Sequence, residues 1–380
     1  MLKAGVDFLN HGSFGAVPRL VFEAQNAWRV KLESEPIELI GRRCEDLVRE
    51  AKRPVGAWLG MNESDFGFVT NATDGVNAAL QSLSLSSGDE LLATSHVYNA
   101  VRQAMRHTAR RAGAEYREVK IPLPVRSAGE ITETVFGALT PRTRVLVIDH
   151  ITSPTALVFP VQQIIEGCAN RKNPVDVLVD GAHAPGMVPL EVEKLGAAYY
   201  AANLHKWVCA PKGSAFLWVR PDLQPSVHPV VISHHWGEGF AREFGWQGTR
   251  DLSAWLTIPR AMEFMADLGW ERVMGHNHHM AAWAHRMLVE RWKVEPISPL
   301  DGSLLGSTAT VRLPAPLGTM DAAQSAALQQ RLYCEFGIEV PLVWNEGWTL
   351  RVSCQVYNSA AQYERLAAVI ETIARSSASR

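Results

Sequence analysis

Residues 177–186 read VLVDGAHAPG and residues 197–207 read AAYYAANLHKW, and the reading of these two stretches decides the fold. Each opens as a short apolar run of the kind that forms a buried strand. The first run ends on an acid, Asp180, and the second is followed closely by a lysine, Lys206. Buried strands that stop at an acid and at a lysine set both side chains at the carboxyl edge of a sheet, where open α/β folds bind ligands. A lysine in a partly dry pocket gives up its proton and forms a Schiff base, and an acid there keeps a pyridinium nitrogen protonated. Those are the two contacts that pyridoxal 5′-phosphate (PLP) needs most. The same residues also read as a surface lysine after a strand and an acid closing a turn, so the rest of the chain has to separate the two.

Working outward, strand-like runs at 66–70, 90–94, 114–121, 144–150, 177–180, 198–202 and 215–219 alternate with amphipathic stretches at 75–83, 98–111 and 161–170. This alternation predicts an α/β fold with a mostly parallel central sheet covered by helices. Two helices, 18–34 and 44–59, precede it. After residue 250 the texture changes: helical stretches at 256–267 and 270–292, strand-like runs at 307–313, 338–343 and 349–354, and a closing helix from 360 to about 374, with the final SSASR frayed. The expected division is a large domain at 17–255 and a smaller α+β domain built from 1–16 and 256–380.

The chain has 380 residues, 47% apolar and 20% charged, with a formal net charge of −2. That is a globular composition with no electrostatic reason to expect nucleic acid or an anionic membrane as partner. The first residues lack the apolar core of a signal peptide, and no run approaches the length of a membrane span. The five cysteines are scattered and without a CxxC pair, which fits reduced thiols in a cytoplasmic protein.

Further candidates follow the same strand edges. The turn TNATDG at 70–75 precedes a helix, so free N–H groups and the hydroxyl of Thr73 form a potential anion site; N-capping by Thr73 or Asp74 is the structural alternative. Tyr98 follows the strand 90–94 and either stacks on a planar cofactor or closes a helix. Ser153 and Thr155 follow the strand 144–150 and offer hydroxyls to a cofactor or substrate. Arg351, alternating with apolar neighbours in TLRVSC, needs an anionic partner: a substrate carboxylate or a structural acid. The histidines at 234, 235, 276, 278 and 279 lack metal-ligand spacing, and no metal is expected. No GxGxxG or P-loop pattern is present.

Taken together, FLNHGSFGAVP, ESEP, TNATDGVN, HVYNAV, DHITSPTALVFPV, VDGAHAPG, NLHKW, QGTRDLSAWLTIPRAMEF and LRVSCQVYN resemble the class V aminotransferase family of PLP enzymes, fold type I, and within it the isopenicillin N epimerase-like group. The resemblance implies an aspartate aminotransferase-like fold and PLP as cofactor. It implies Lys206 as the Schiff-base lysine, Asp180 at the pyridine nitrogen, His183 near the phenolic oxygen and Tyr98 stacked on the ring. Ala72, Thr73, Asn203 and His205 resemble the phosphate-binding set, with Ser153 beside the cofactor. Thr249 resembles the residue that reaches the phosphate of a neighbouring subunit, which implies a homodimer with shared active sites. Arg351 would bind the α-carboxylate of an amino-acid substrate, and Asn10 and His11 lie in the segment that approaches the substrate pocket. Cysteine desulfurases of the same superfamily carry a mobile-loop cysteine shortly before the carboxylate-binding arginine; here that stretch is VPLVWNEGW and has none.

The implied reaction begins at Cα of the amino acid through aldimine and quinonoid intermediates, with freed Lys206 as the base for Cα–H. Reprotonation on the other face gives epimerisation, loss of a β-sulfur group a C–S lyase or cysteine desulfhydrase, and protonation at the cofactor a transamination. The resemblance favours the epimerase-like outcome, with the C–S lyase close behind. A PLP-binding regulatory protein without catalysis is the reading from another class, and Lys206, Asp180 and Arg351 together argue against it.

Overall fold

A computed structural model describes residues 1–378. Its strands are β1 (Asp7–Phe8), β2 (Phe66–Val69), β3 (Glu90–Thr94), β4 (Glu115–Val119), β5 (Thr143–Asp149), β6 (Asp176–Asp180), β7 (Tyr199–Asn203), β8 (Ala215–Val219), β9 (Thr308–Arg312), β10 (Ile338–Glu339), β11 (Leu342–Trp344) and β12 (Trp348–Ser353). The central sheet has the order β2-β8-β7-β6-β5-β3-β4. β8 runs antiparallel to both of its neighbours, and the other six strands run parallel to one another.

The reason lies in the side chains. β3, β7 and β8 are buried along their whole length, so runs such as AFLWV need apolar cover on both faces, and helices supply it. The helices Ala72–Gln81 and Asn99–Ala112 pack together, and the former also lies against β7 and β8. Helices Ala128–Ala138 and Val161–Ala169 pack against each other, the latter on β6. The chain moves outward from β3 to β4, then returns through β5, β6 and β7. Such a reversal of winding opens a crevice at the carboxyl ends of the strands.

A second core gathers Leu9, Leu288, Val311, Leu332, Leu350 and Ile370 beneath the antiparallel sheet β11-β12-β9. The N-terminus belongs to this unit: β1 pairs in parallel with β10, Asp7 opposite Ile338 and Phe8 opposite Glu339. Leu256, Ile258, Ala261 and Met262 pack instead into the large core, and the helix Ile258–Leu268 rests on Arg19–Ser34 and Cys44–Leu59. The cores therefore divide later than residue 255, because that helix spends its apolar face on the first two helices. The run 338–343 is broken into β10 and β11, which join different sheets. The closing helix extends through Ser376 and Ser377 to Ala378, past residue 374; the last two residues of SSASR lie outside the described residues. No described helix is long and apolar enough to cross a membrane.

Candidate active site

The ends of β5, β6 and β7 and the start of the helix Ala72–Gln81 converge on a cleft of about 520 Å³, within the usual range for a cofactor pocket. Lys206 enters it from the loop 204–214, which joins β7 to its antiparallel neighbour β8. The N–H groups of Leu204 and His205 both donate to Ser214 O, at 2.9 and 3.2 Å, and Trp207 and Val208 beside the lysine are fully buried. The loop is thus pinned on both sides of Lys206.

Lys206 Nζ lies 3.0 Å from His183 Nε2. The indole N–H of Trp207 points at His183 Nδ1 from 3.4 Å. An indole only donates, so Nδ1 accepts and the neutral imidazole carries its proton on Nε2. That N–H then donates to Lys206, which requires an amine with a free lone pair. Burial, followed by the nearby Arg351, lowers Lys206 to about 7, in the same direction. Burial holds His183 well below the ordinary imidazole range, with Lys206 the next contributor.

Asp180 ends β6 at the cleft wall, 3% exposed, and its Oδ1 accepts the Ala182 N–H at 3.0 Å. Burial raises it above the ordinary carboxylate range, opposed by that N–H and by Lys206. Tyr98 and Ala182 also line the cleft, Tyr98 as a half-exposed ring.

At the helix end, Asn71 is the N-cap, its side chain accepting from the Asp74 N–H at 2.9 Å; neither Thr73 nor Asp74 caps. Asp74 instead takes the Thr70 N–H and hydroxyl. The Ala72 N–H donates to Asn203 Oδ1 at 2.8 Å, tying this turn to the end of β7. Thr73, Asn203, His205 and Lys212 complete this end of the cleft. The His205 ring donates from Nδ1 to Ser214 O at 3.1 Å, and burial lowers it to about 4. Thr249 is exposed and is not among the lining residues.

Arg351, on β12, is not itself among the lining residues but holds two that are, Ser153 and Ser13. It donates through Nη1 to Ser153 O at 2.5 Å and Oγ at 3.0 Å, and through Nη2 to Ser13 Oγ at 3.2 Å. All three partners are uncharged. Its Nε is buried without a partner, and burial lowers the guanidinium to about 10. A cation in that state is short of an anion.

Several expectations from the sequence need correcting in detail. Thr155 is fully buried and bonded to Thr152 and His96, both at 2.7 Å, so it offers nothing to the cleft. Asn10 and His11 do not line the cleft either. Asn10 turns to Glu339 and Ser13, and His11 bridges Tyr357 and the Lys206 carbonyl. The segment reaches the cleft through Ser13 and Phe14. Its approach is close because Gly15 adopts φ +72°, and a Cβ there would fall 2.0 Å from His205 O. Asp149 and Lys212 are further cleft residues that reasoning from sequence misses. Asp149 had a signal, since RVLVID ends in an acid as VLVD does. Among the described residues no group of three or more His, Cys, Asp or Glu is placed to hold a metal.

A buried free amine, an acid on the neighbouring strand end and an anion-seeking helix turn form a cradle that fits PLP. The model of the aminotransferase class-V family matches residues 28–366. The chain belongs to the aminotransferase class-V family. It is a PLP-dependent enzyme. It is 33% identical to isopenicillin N epimerase of Amycolatopsis lactamdurans, over 98% of this chain and 96% of that one. It is 32% identical to putative L-cysteine desulfhydrase 1 of Oryza sativa subsp. japonica, over 96% and 82%. The fold matches the cystine C–S lyase C-DES bound to cysteine persulfide, with TM-score 0.81 and 21% identity over 97% of both chains. A C-DES variant with glycine covalently linked to PLP gives TM-score 0.84 at 21% identity, over 97% and 96%.

Proposed function

We propose that this class-V enzyme removes the Cα proton of a free α-amino acid with Lys206, in an isopenicillin N epimerase-like reaction. The observation that carries the reading is the hydrogen bond from His183 to Lys206, which keeps the lysine as an amine ready to hold the cofactor's aldehyde or to take a proton. When bound, PLP supplies the electron sink for negative charge at Cα. Asp180 would face its ring nitrogen, and Tyr98 and Ala182 would cover the ring. The Thr73 turn, with Asn203 and His205, would hold its phosphate. Arg351, short of an anion, would take the α-carboxylate, with Ser153 and Ser13 fixing the guanidinium. That anchoring sets which Cα bond faces Lys206.

A second reading, C–S bond cleavage in a cysteine-type substrate, shares the same first step. It is favoured by desulfhydrase relatives of similar identity and by a cleft whose described lining contains no cysteine to carry sulfur away as a persulfide. Incubation of the PLP-loaded enzyme with single amino acids in deuterated water tests both. Deuterium at Cα with loss of optical activity supports the epimerase-like reading, and sulfide with pyruvate supports the lyase. Keto acid without sulfide, or no Cα exchange with any amino acid, overturns both.

A homodimer with Thr249 serving the partner's phosphate accords with the exposed Leu20 and Val30 on the helix Arg19–Ser34 and with Ile232 and Trp236. Five free thiols accord with a cytoplasmic setting. Sedimentation of wild type and of Leu20→Glu tests the dimer; a monomeric wild type that keeps full PLP affinity overturns the shared site.

A further inference from the structure

β5 and β6 are adjacent parallel strands, and their last residues, Asp149 and Asp180, are register partners. Neighbouring strands lie about 4.8 Å apart, and register partners in parallel strands point to the same face, so these two side chains are close neighbours. Both carboxyls line the same cleft and are almost fully buried, at 2% and 3% exposure. Their surroundings differ. Asp180 accepts the Ala182 N–H, whereas Asp149 Oδ2 is buried with no hydrogen-bond partner. The strand ends themselves are tied by their main chains, the His150 N–H donating to Asp180 O at 2.8 Å and the Gly181 N–H to Ala201 O at 2.7 Å, so the orphaned oxygen of Asp149 is not needed to join them.

We propose that Asp149 is the second carboxyl of the ring-nitrogen site, a positioning residue that holds one proton between itself and Asp180 and makes it available to the cofactor's ring nitrogen. This rests on the reading that Asp180 faces that nitrogen. Two carboxyls sharing a dry wall cannot both ionise cheaply, so one keeps its proton. The asymmetry assigns it. Both acids have an N–H donor and both feel Lys206, but only Asp149 keeps a buried oxygen without a partner, and burial and the facing Asp180 push it well above the ordinary carboxylate range. The other groups that face the pair are the Tyr98 amide and Arg102, at the start of the helix Asn99–Ala112 and within it, which favour the Asp149 anion, and the buried Tyr200 on β7. The neighbouring His150 is held neutral by burial and bonds Tyr200. When the ring nitrogen takes the proton, one O–H bond breaks and one N–H bond forms. No other reactant enters, and the net charge of the wall and ring together is unchanged.

Infrared difference spectra of the apoprotein, wild type against Asp149→Asn, form the first test and need no cofactor. The expected result at pH 7 is a protonated-carboxyl C=O band that is absent from the variant; bands of ionised carboxylate alone overturn the proposal. The second test follows the pH at which the absorption of bound PLP changes. Asp149→Asn should lower that midpoint by about one pH unit, a tenfold change in proton affinity. An unchanged midpoint with a lowered Tm makes Asp149 structural and overturns the proposal. Asp149→Ser takes the place of the Asn variant if the latter does not fold. Asp180→Asn separates the two layers. If it leaves the midpoint unchanged, the placement of Asp180 fails, while the apoprotein band still decides whether the pair holds a proton.

Discussion

The Nε2 atom of His183 stands 3.0 Å from Lys206 Nζ, and Trp207, the residue next to that lysine, sets the direction of the bond through the far side of the imidazole. One residue of the lysine loop thus prepares another through a ring carried on a different strand end.

This predicts how apoprotein Lys206 titrates. Its reaction with a small aldehyde, trapped with borohydride and located by peptide mass, should rise through pH 7 and level off above pH 8. His183→Ala removes the donor to the free amine and should move the midpoint upward by about one unit. A midpoint that stays near 7 in the variant would show that burial alone sets the amine.

The same depression has a consequence for stability. Lys206 is lowered from the ordinary lysine value to about 7 on folding, so between pH 7 and 10 the unfolded chain binds more protons at this site than the folded one. Its contribution therefore makes the apoprotein more stable as pH rises through that window. Urea titrations of wild type and Lys206→Met at pH 7 and 9 check this: the difference between the two proteins should shift in favour of wild type at the higher pH.

For Arg351, truncation to Ala should lower kcat/KM by roughly ten- to a hundredfold, the loss of one charge-assisted pairing of about 1.5–3 kcal/mol. PLP absorbance should be unchanged, and Lys should rescue only in part because it lacks the planar fork. Unchanged turnover with a lowered Tm would make the arginine a structural tie between Ser13 and Ser153.

Ser153 and Thr155 separate by two residues and by function. Thr155→Val breaks the buried links to His96 and Thr152 and should cost about 1–3 kcal/mol of stability while leaving KM near wild type. Ser153→Ala should raise KM with little change in Tm, since it removes one of the hydroxyls that hold Arg351. Thermal unfolding and steady-state kinetics on the pair distinguish them.

Much of this molecule was legible in its residues because the signals were local. The strand Glu90–Thr94 and the helices Cys44–Leu59 and Trp270–Trp292 fall where apolar pattern places them, and Asp180 and Lys206 meet in one cleft because strand ends share an edge. What was not legible depends on contacts between distant segments. Nothing in FLNHGSFG says that Ser13 rather than His11 faces the cleft; the pairing of β1 with β10 and the glycine conformation at 15 decide it. Thr155 reads as a site hydroxyl until His96 is seen to claim it. The helix Ile258–Leu268 reads as the start of a second unit until its partners are known.

Gly15 carries a sharp expectation of its own. An alanine there would meet the His205 carbonyl at 2.0 Å in addition to an unfavourable φ. Gly15→Ala should lower Tm and weaken PLP retention together, as measured by dialysis of the loaded protein; a variant that keeps its cofactor would show that the N-terminal segment docks independently of the lysine loop.

Ser13 and Arg351 hydrogen-bond across 338 residues of sequence. A ribosome delivers the first of them 338 residues before the second. The wide sheet can form while translation continues, yet its pocket stays open on one side until β12 has left the exit tunnel and β1 has found β10. Long-range closure of this kind is slow and leaves apolar surface waiting. The site is therefore complete only once Arg351 has been made, and truncations that spare the whole central sheet but remove β12 should still yield a protein without the tie between Ser13 and Arg351.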